Sequence, residues 1–453
     1  MVNTIDHIRD MIFGLSTPVE LDNKTKIPAI NLDNAATTPP FKKVMDEMQQ
    51  QLRLYGSIGR GVGQKSEHST NLYIRGREII KNFLGAAPEN QDGGDDYTVV
   101  YIQNTTDGIN KLASALIESP EDIIITTRME HHANDLPWRE RAECLYADVD
   151  DKGRLLLEDI KRLLEENEGK VKYVCVTAAS NVTGYVNDIH RIAKLAHQHG
   201  AKIVVDGAQI VSHRAVNMLG ECPGENIDFF VFSAHKMYSP FGGGAIVGLK
   251  EILDKHIPAF YGGGMVEAVS DDDVCYVCAP DSYEAGSPNY PGVVGMLKAI
   301  EILQSIGFGY IKRYEKFLMR RIYTGLKKFP NVILYGDCDD ISDRVGVIPF
   351  NLRGIPPKIV AEYLAGSHGI SVRHAAFCAH PYVHRLTGEE LQSCNPPSGM
   401  VRVSFGVYSN EADVDAFLRA IAAMLDGDRR PLSSNSGGKN GEYVVSNKPF
   451  DRG

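Results

Sequence analysis

From Asn31 to about Ile306 the chain alternates short apolar runs with segments of helical period, and few architectures accept that alternation. The runs Tyr97–Ile102, Asp122–Thr126, Tyr173–Thr177, Lys202–Val205 and Asp228–Phe232 read as strands. The patterns Ile109–Ile117, Leu157–Glu165 and Ile189–His199 between them read as helices. Strands that are apolar on both faces and separated by helices pack as a mostly parallel sheet covered on both sides. The expected class is therefore α/β, with a large domain over 31–306.

Beyond Gly307 the alternation stops. A long helix (Tyr310–Lys328), strands at Val332–Tyr335 and Gly346–Asn351, a helix at Pro357–Ala365, strands at Gly369–Arg373 and Met400–Ser404, and a last helix at Glu411–Leu425 predict a smaller α+β domain over 307–428. Residues 1–30 read as a short amphipathic helix and an arm that joins the small domain. Residues 429–453, rich in Ser, Asn and Gly, read as a tail. A chain of 453 residues has room for these units at about 100–200 residues per domain.

Charge narrows the partners. Net charge is −10 and no long Lys/Arg block occurs, which argues against nucleic acid and anionic membrane surfaces. No apolar run approaches the roughly 20 residues that span a bilayer, and the first fifteen residues carry charges where a secretory signal would be apolar. The expected location is cytoplasmic. Eight scattered cysteines suit reduced thiols. Cys275 and Cys278 form a C-x-x-C with no second pair at ligand spacing, so no metal is expected.

In open parallel sheets, ligands gather at the carboxyl ends of the strands, so the polar residues that follow each apolar run carry the chemistry. After Tyr97–Ile102 comes Asn104-Thr105-Thr106-Asp107-Gly108, an N-cap cluster whose free N–H groups form a phosphate seat. Further strand ends deliver Glu130-His131-His132-Ala133-Asn134, Ser180-Asn181-Val182-Thr183-Gly184, Asp206-Gly207-Ala208-Gln209 and Ser233-Ala234-His235-Lys236. A carboxylate and an ammonium at two apolar strand ends are costly to bury unless paired or used, and a structural ion pair alone would explain only those two.

Pyridoxal 5′-phosphate (PLP) chemistry requires more. It needs a lysine for the Schiff base, an acid to keep the pyridine nitrogen protonated, a donor for the ring hydroxyl, and hydroxyls with helix N–H groups for the phosphate. Lys236, Asp206 and Gln209 with Thr105, Thr106, Ser233 and His235 supply that whole set.

Five segments then make the resemblance specific. They are Asn31-Leu32-Asp33-Asn34-Ala35-Ala36-Thr37-Thr38-Pro39, Met129-Glu130-His131-His132-Ala133-Asn134-Asp135-Leu136-Pro137-Trp138, Val205-Asp206-Gly207-Ala208-Gln209, Phe232-Ser233-Ala234-His235-Lys236 and Tyr283-Glu284-Ala285-Gly286-Ser287-Pro288-Asn289. In this order they resemble the class V aminotransferases, and within them the Suf-type cysteine desulfurases and selenocysteine lyases, over roughly residues 30–425. The resemblance implies a PLP-dependent transferase of fold type I. It places His131 on the pyridine ring and Asn181 and Gln209 at the ring hydroxyl and substrate. Ala35 and Arg373 border the substrate, and Arg402 clamps its carboxylate. Ser287 reaches the phosphate of a neighbouring subunit, which implies a homodimer with shared sites.

The same resemblance bears on sulfur. Arg373 followed by Cys378 has the spacing of a desulfurase loop. A thiolate there attacks the sulfur of bound cysteine, leaves alanine, and passes a persulfide to an acceptor. The sequence departs from the family pattern at Ala376-Phe377, where paired histidines usually precede the cysteine, and in Arg60-Gly61-Val62-Gly63, where glycine replaces a histidine. His374 and His380 flank Cys378 instead. Two other readings remain open. One is another class V enzyme (selenocysteine lyase, C–S lyase, epimerase or aminotransferase) with Cys378 idle. The other is a non-catalytic partner protein of the same fold.

Overall fold

The computed structural model describes residues 5–59, 61–86, 97–389 and 398–427. Its centre is a seven-stranded sheet with strands in the spatial order 97–102, 244–249, 229–233, 202–206, 171–177, 123–127, 143–147. Only Gly244–Leu249 runs against the rest. The fold is therefore α/β, with the mostly parallel sheet that the sequence resemblance implies.

Both faces are covered, which explains the continuous apolar runs. Val99, Val174, Val205, Phe230 and Val247 point into one core, and their neighbours Val100, Cys175, Val204, Val231 and Ile246 into the other. This is the period of two that a doubly covered sheet imposes.

Strand register decides where the polar strand ends lie. Gly244 pairs with both Ile102 and Ser233, and Asp206 pairs with both Thr177 and Val231. The strand ends consequently stop within about two residues of one level, and the residues just beyond them share one edge. The helix Thr105–Leu116 leaves that edge and lies close against the sheet at Gly108, where an added Cβ would sit 2.5 Å from Ile102 Cδ1 and 2.6 Å from Val231 Cγ1.

A second, four-stranded antiparallel sheet has the order 332–334, 347–352, 400–404, 373–375. With the helices Phe308–Leu326, Pro357–His368 and Glu411–Leu425 it encloses its own core of Leu318, Phe350, Leu364, Val401, Val403 and Phe417. The last helix opens with a reciprocal cap between Asn410 and Asp413. Near the N-terminus, Ile5–Asp10 is helical. Ile8 and Ile12 enter the large core while Arg9 reaches Asp413 at 2.8 Å, so this arm touches both units.

One strand expectation changes, and the antiparallel strand is not among those expected. The run Gly369–Arg373 divides, because Ile370–Ser371 pairs with Ile30–Asn31 whereas Arg373–Ala375 pairs with Met400–Arg402. Gly244–Leu249 escapes a propensity reading because glycines weaken a strand signal. At Gly248 a Cβ would meet the Phe229 ring at 2.5 Å, so packing excludes a larger residue there. The region 429–453 and Arg60 lie outside the described residues.

The close approach at Gly108 yields a stability prediction. Gly108→Val should lower stability by about 1–3 kcal/mol through overpacking, read as a lower urea midpoint at unchanged slope. An unchanged midpoint would mean that the helix can ride away from the sheet freely.

Candidate active site

At the carboxyl edge of the large sheet a cavity of about 610 Å³ opens, lined by the strand ends and by the smaller unit. Among its lining residues are Ala35, Thr105, Thr106, His131, Asn181, Asp206, Gln209, Ser233, His235, Lys236, Arg373, Cys378 and Arg402. The sequence-predicted site thus converges on one cavity, with one residue elsewhere. Ser287 is exposed and lines a separate cavity of about 410 Å³ that shares Gln103 and Gly242 with the first.

One wall is built for an anion. Asn104 caps the helix Thr105–Leu116 by accepting from the Asp107 N–H at 3.0 Å. Thr105 donates its N–H to Ser233 Oγ at 2.7 Å, and the two hydroxyls lie 2.8 Å apart. Thr106, the next residue of the same first turn, also lines the cavity. Hydroxyls gathered at a helix N-terminus suit a phosphate. The His235 carbonyl accepts from the Thr38 N–H at 3.0 Å and from the Thr37 hydroxyl at 3.0 Å, which fixes the turn that carries Lys236. Burial and Lys236 pull the His235 imidazole down to about 4, so it is neutral near pH 7.

The centre holds opposite charges at low hydration. Asp206 is 4% exposed, and only one of its oxygens has a hydrogen-bond partner among the described residues, the Ala208 N–H at 2.9 Å. Burial pushes its carboxyl above the usual value, opposed by the Ala208 N–H and by Lys236. Lys236 is half-buried and opens on the cavity. Desolvation pulls its ammonium down to about 8, with Asp206 and Cys378 holding it up and Arg402 adding to the fall. His131 Nδ1 accepts from the Ala133 N–H at 3.0 Å, which leaves any ring proton on Nε2, and burial with Lys236 pulls it to about 3. Gln209 Nε2 donates to the Ala35 carbonyl at 2.7 Å and ties the entering chain to the strand end.

These residues fit PLP. An acid with one unpartnered oxygen, a lysine without a hydrogen-bond partner among the described residues, a neutral imidazole and a hydroxyl-lined helix N-terminus are the set that its nitrogen, aldehyde, ring face and phosphate require.

The remaining wall comes from the second unit. Arg402 is 2% exposed and sits on Met400–Ser404, a strand flanked on both sides rather than at an edge. Its guanidinium donates to the Asn181 carbonyl at 2.9 Å and to Asp33 Oδ1 at 3.1 Å, and the Phe377 ring lies 4.8 Å from its Cζ. Its Nε is buried with no hydrogen-bond partner among the described residues. An unsatisfied buried donor costs about 1–3 kcal/mol, and an incoming carboxylate oxygen would relieve it.

Cys378 is exposed to the cavity on a loop in which Ala375, Phe377 and Cys378 all have positive φ (86°, 52° and 55°). Asn181 Nδ2 donates to the Phe377 carbonyl at 2.7 Å, and the His132 N–H donates to the Cys378 carbonyl at 2.7 Å. His380 donates its N–H to His132 Nε2 at 3.2 Å, and the two rings meet edge-on at 4.7 Å. The adjacent histidines therefore divide their tasks, with His131 in the cavity and His132 behind the cysteine loop.

Sequence reasoning assigned no role to His132, Asp33, Phe377 or Glu130. Glu130 is buried and accepts from Thr127 Oγ1 (2.6 Å), Asn134 Nδ2 (2.7 Å) and the Thr177 N–H (3.0 Å), while Trp138 Nε1 donates to Asn134. Burial pushes Glu130 up to about 8. This network holds the His131 turn against the sheet. Asp33 and Glu130 lie in the quoted motifs, but sequence order alone could not show that they face Arg402 and Thr177.

Residues 30–417 match the family described as Aminotransferase class-V. The chain is 34% identical over 423 residues to a cysteine desulfurase of Haloferax volcanii, covering 91% of this chain and 93% of that one. It is 33% identical over 433 residues to a cysteine desulfurase of Escherichia coli, covering 93% and 98%. The fold superposes on the apo structure of a cysteine desulfurase from Thermococcus onnurineus with a TM-score of 0.78 at 32% identity, covering 88% of this chain and 95% of that chain.

The electrostatics of Lys236 are directly measurable. In the cofactor-free protein, competitive labelling with acetic anhydride should show the Lys236 amine titrating near pH 8, well below exposed lysines. Asp206→Asn should move that titration lower still, because it removes the carboxylate that favours the ammonium. A titration near the ordinary lysine value would refute the buried setting.

Proposed function

We propose, for a chain that belongs to the class V aminotransferase family and is thereby a PLP-dependent enzyme, that it is a cysteine desulfurase converting L-cysteine to L-alanine with a persulfide left on Cys378. The observation that carries this reading is Cys378, a free thiol on a loop that opens into the same cavity as Lys236 and Arg402.

PLP, held through Lys236, supplies an electron-withdrawing ring that weakens bonds at the substrate α-carbon. The rest falls to the chain's own groups. Arg402 takes the substrate carboxylate with the donors that Asn181 and Asp33 leave free. Asp206 holds a negative charge where the ring nitrogen needs one. The Lys236 amine, poised near 8, takes and returns a proton at the α-carbon. The Cys378 thiolate attacks the substrate sulfur, so an S–S bond forms as the carbon–sulfur bond breaks. The carbon keeps that electron pair and gains a proton, giving alanine. The outer sulfur then passes to an acceptor thiol, and Cys378 returns to the thiol. A nucleophile that must stay reduced between turnovers suits a cytoplasmic enzyme.

A homodimer completes this reading. Ser287 is exposed and lines a cavity that borders the first, and in this reading it serves the phosphate seat of a second copy. A second activity within the family, with Cys378 idle, draws support from Phe377, whose ring lies over the carboxylate-binding arginine where the family pattern has histidine.

Cys378→Ala distinguishes the two. The variant should keep the cofactor absorption band and its response to cysteine, yet release alanine only at background. Brief cysteine treatment of the wild type should add one sulfur to the Cys378 peptide. Undiminished alanine release by the variant, or pyruvate in place of alanine, would exclude the desulfurase. For the assembly, sedimentation at micromolar concentration should give a dimer whose Ser287→Ala form retains PLP less well during dialysis. A fully active monomer would rule out the shared site.

A further inference from the structure

Asp33 lies behind the substrate-binding wall. Its Oδ1 accepts from Arg402 at 3.1 Å, and its Oδ2 lies 3.6 Å from Arg373. Both arginines line the cavity, but Asp33 does not. An incoming ligand therefore meets two guanidiniums backed by one carboxylate. Arg402 is buried beneath the Phe377 ring, while the Arg373 side chain is 56% exposed at the mouth. The other charges lining the cavity, Lys236 and Asp206, oppose one another, and His131 and His235 are neutral near pH 7. With Asp33 in place the two-arginine wall carries a net charge of one, which matches an amino acid with a single carboxylate.

We propose that Asp33 is a specificity-determining residue that neutralises one of the two arginines and so selects monocarboxylic over dicarboxylic substrates. This rests on the reading of Arg402 as the carboxylate anchor. Without Asp33, Arg373 is released to bind a second acidic group on the substrate side chain, and amino acids with an acidic side chain become competitive.

The test uses wild-type, Asp33→Asn and Asp33→Glu holoenzymes, titrated calorimetrically with propionate and with succinate, two ligands that undergo no reaction. Asp33→Asn should raise the succinate-to-propionate affinity ratio by about tenfold, since an added acidic group then finds an unopposed guanidinium. Asp33→Glu should restore the wild-type ratio, and Arg373→Ala in the Asp33→Asn background should abolish the gain. A ratio within about twofold of wild type in Asp33→Asn would overturn the proposal, as would loss of both ligands in a folded variant, which would make Asp33 only a positioning residue. A wild type that binds neither ligand removes the anchor and the proposal with it. Alanine release from cysteine is scored separately on the wild type, so failure of the desulfurase reading shows there and leaves the binding ratio interpretable.

Discussion

The level at which the parallel strands end governs the rest of the molecule. Ile102, Gly244 and Ser233 share a row of the ladder, as do Thr177, Asp206 and Val231. Side chains one to three residues past these rows cannot avoid one another. A register slip of one residue would send Asp206 to the other face of the sheet. The apolar packing on both faces fixes that register, so the cavity's charges are positioned by valines and phenylalanines that never touch a ligand.

Bringing those charges together makes each a condition of the others. Desolvation works against the charged forms of Lys236, Asp206 and Arg402. What opposes this is that the buried carboxylate of Asp206 and the half-buried one of Asp33 lie near the cations. Arg402 is drawn down to about 10 by burial but stays charged near pH 7, so it can hold a carboxylate while Lys236 gives up its proton. Lys236 and Arg402 thus take different roles because only Lys236 lies near its titration point.

Much of this was legible in the sequence, for identifiable reasons. Lys202–Asp206 and Phe229–Ser233 read correctly because a doubly buried strand shows as an unbroken apolar run, and the polar residue that ends the run marks the sheet edge. Gly244–Leu249 was hidden because its glycines answer to close neighbours, which propensity does not encode. His132 and Asp33 were hidden for another reason. Their partners, the Cys378 carbonyl and two arginines, lie more than 240 positions away, and only the docking of the second unit brings them near.

That docking also explains how the cysteine loop holds its shape. Three non-glycine residues at positive φ within four positions cost about 1–3 kcal/mol each. Locally the loop is closed by the Ala379 N–H, which donates to the Ala376 carbonyl at 2.9 Å, beyond the point where Arg373–Ala375 stops. Further stabilisation comes from across the cleft, where Asn181 and the His132 N–H hold the Phe377 and Cys378 carbonyls. Asn181 and His132 themselves sit on turns that follow strands of the large sheet. The large unit therefore supplies hydrogen bonds that hold the loop of the small one, and in that arrangement Cys378 lines the same cavity as Lys236. A thiol carried by an unstrained loop would have less need of those bonds, and its approach to the cavity would not be tied to the groups that bind the substrate.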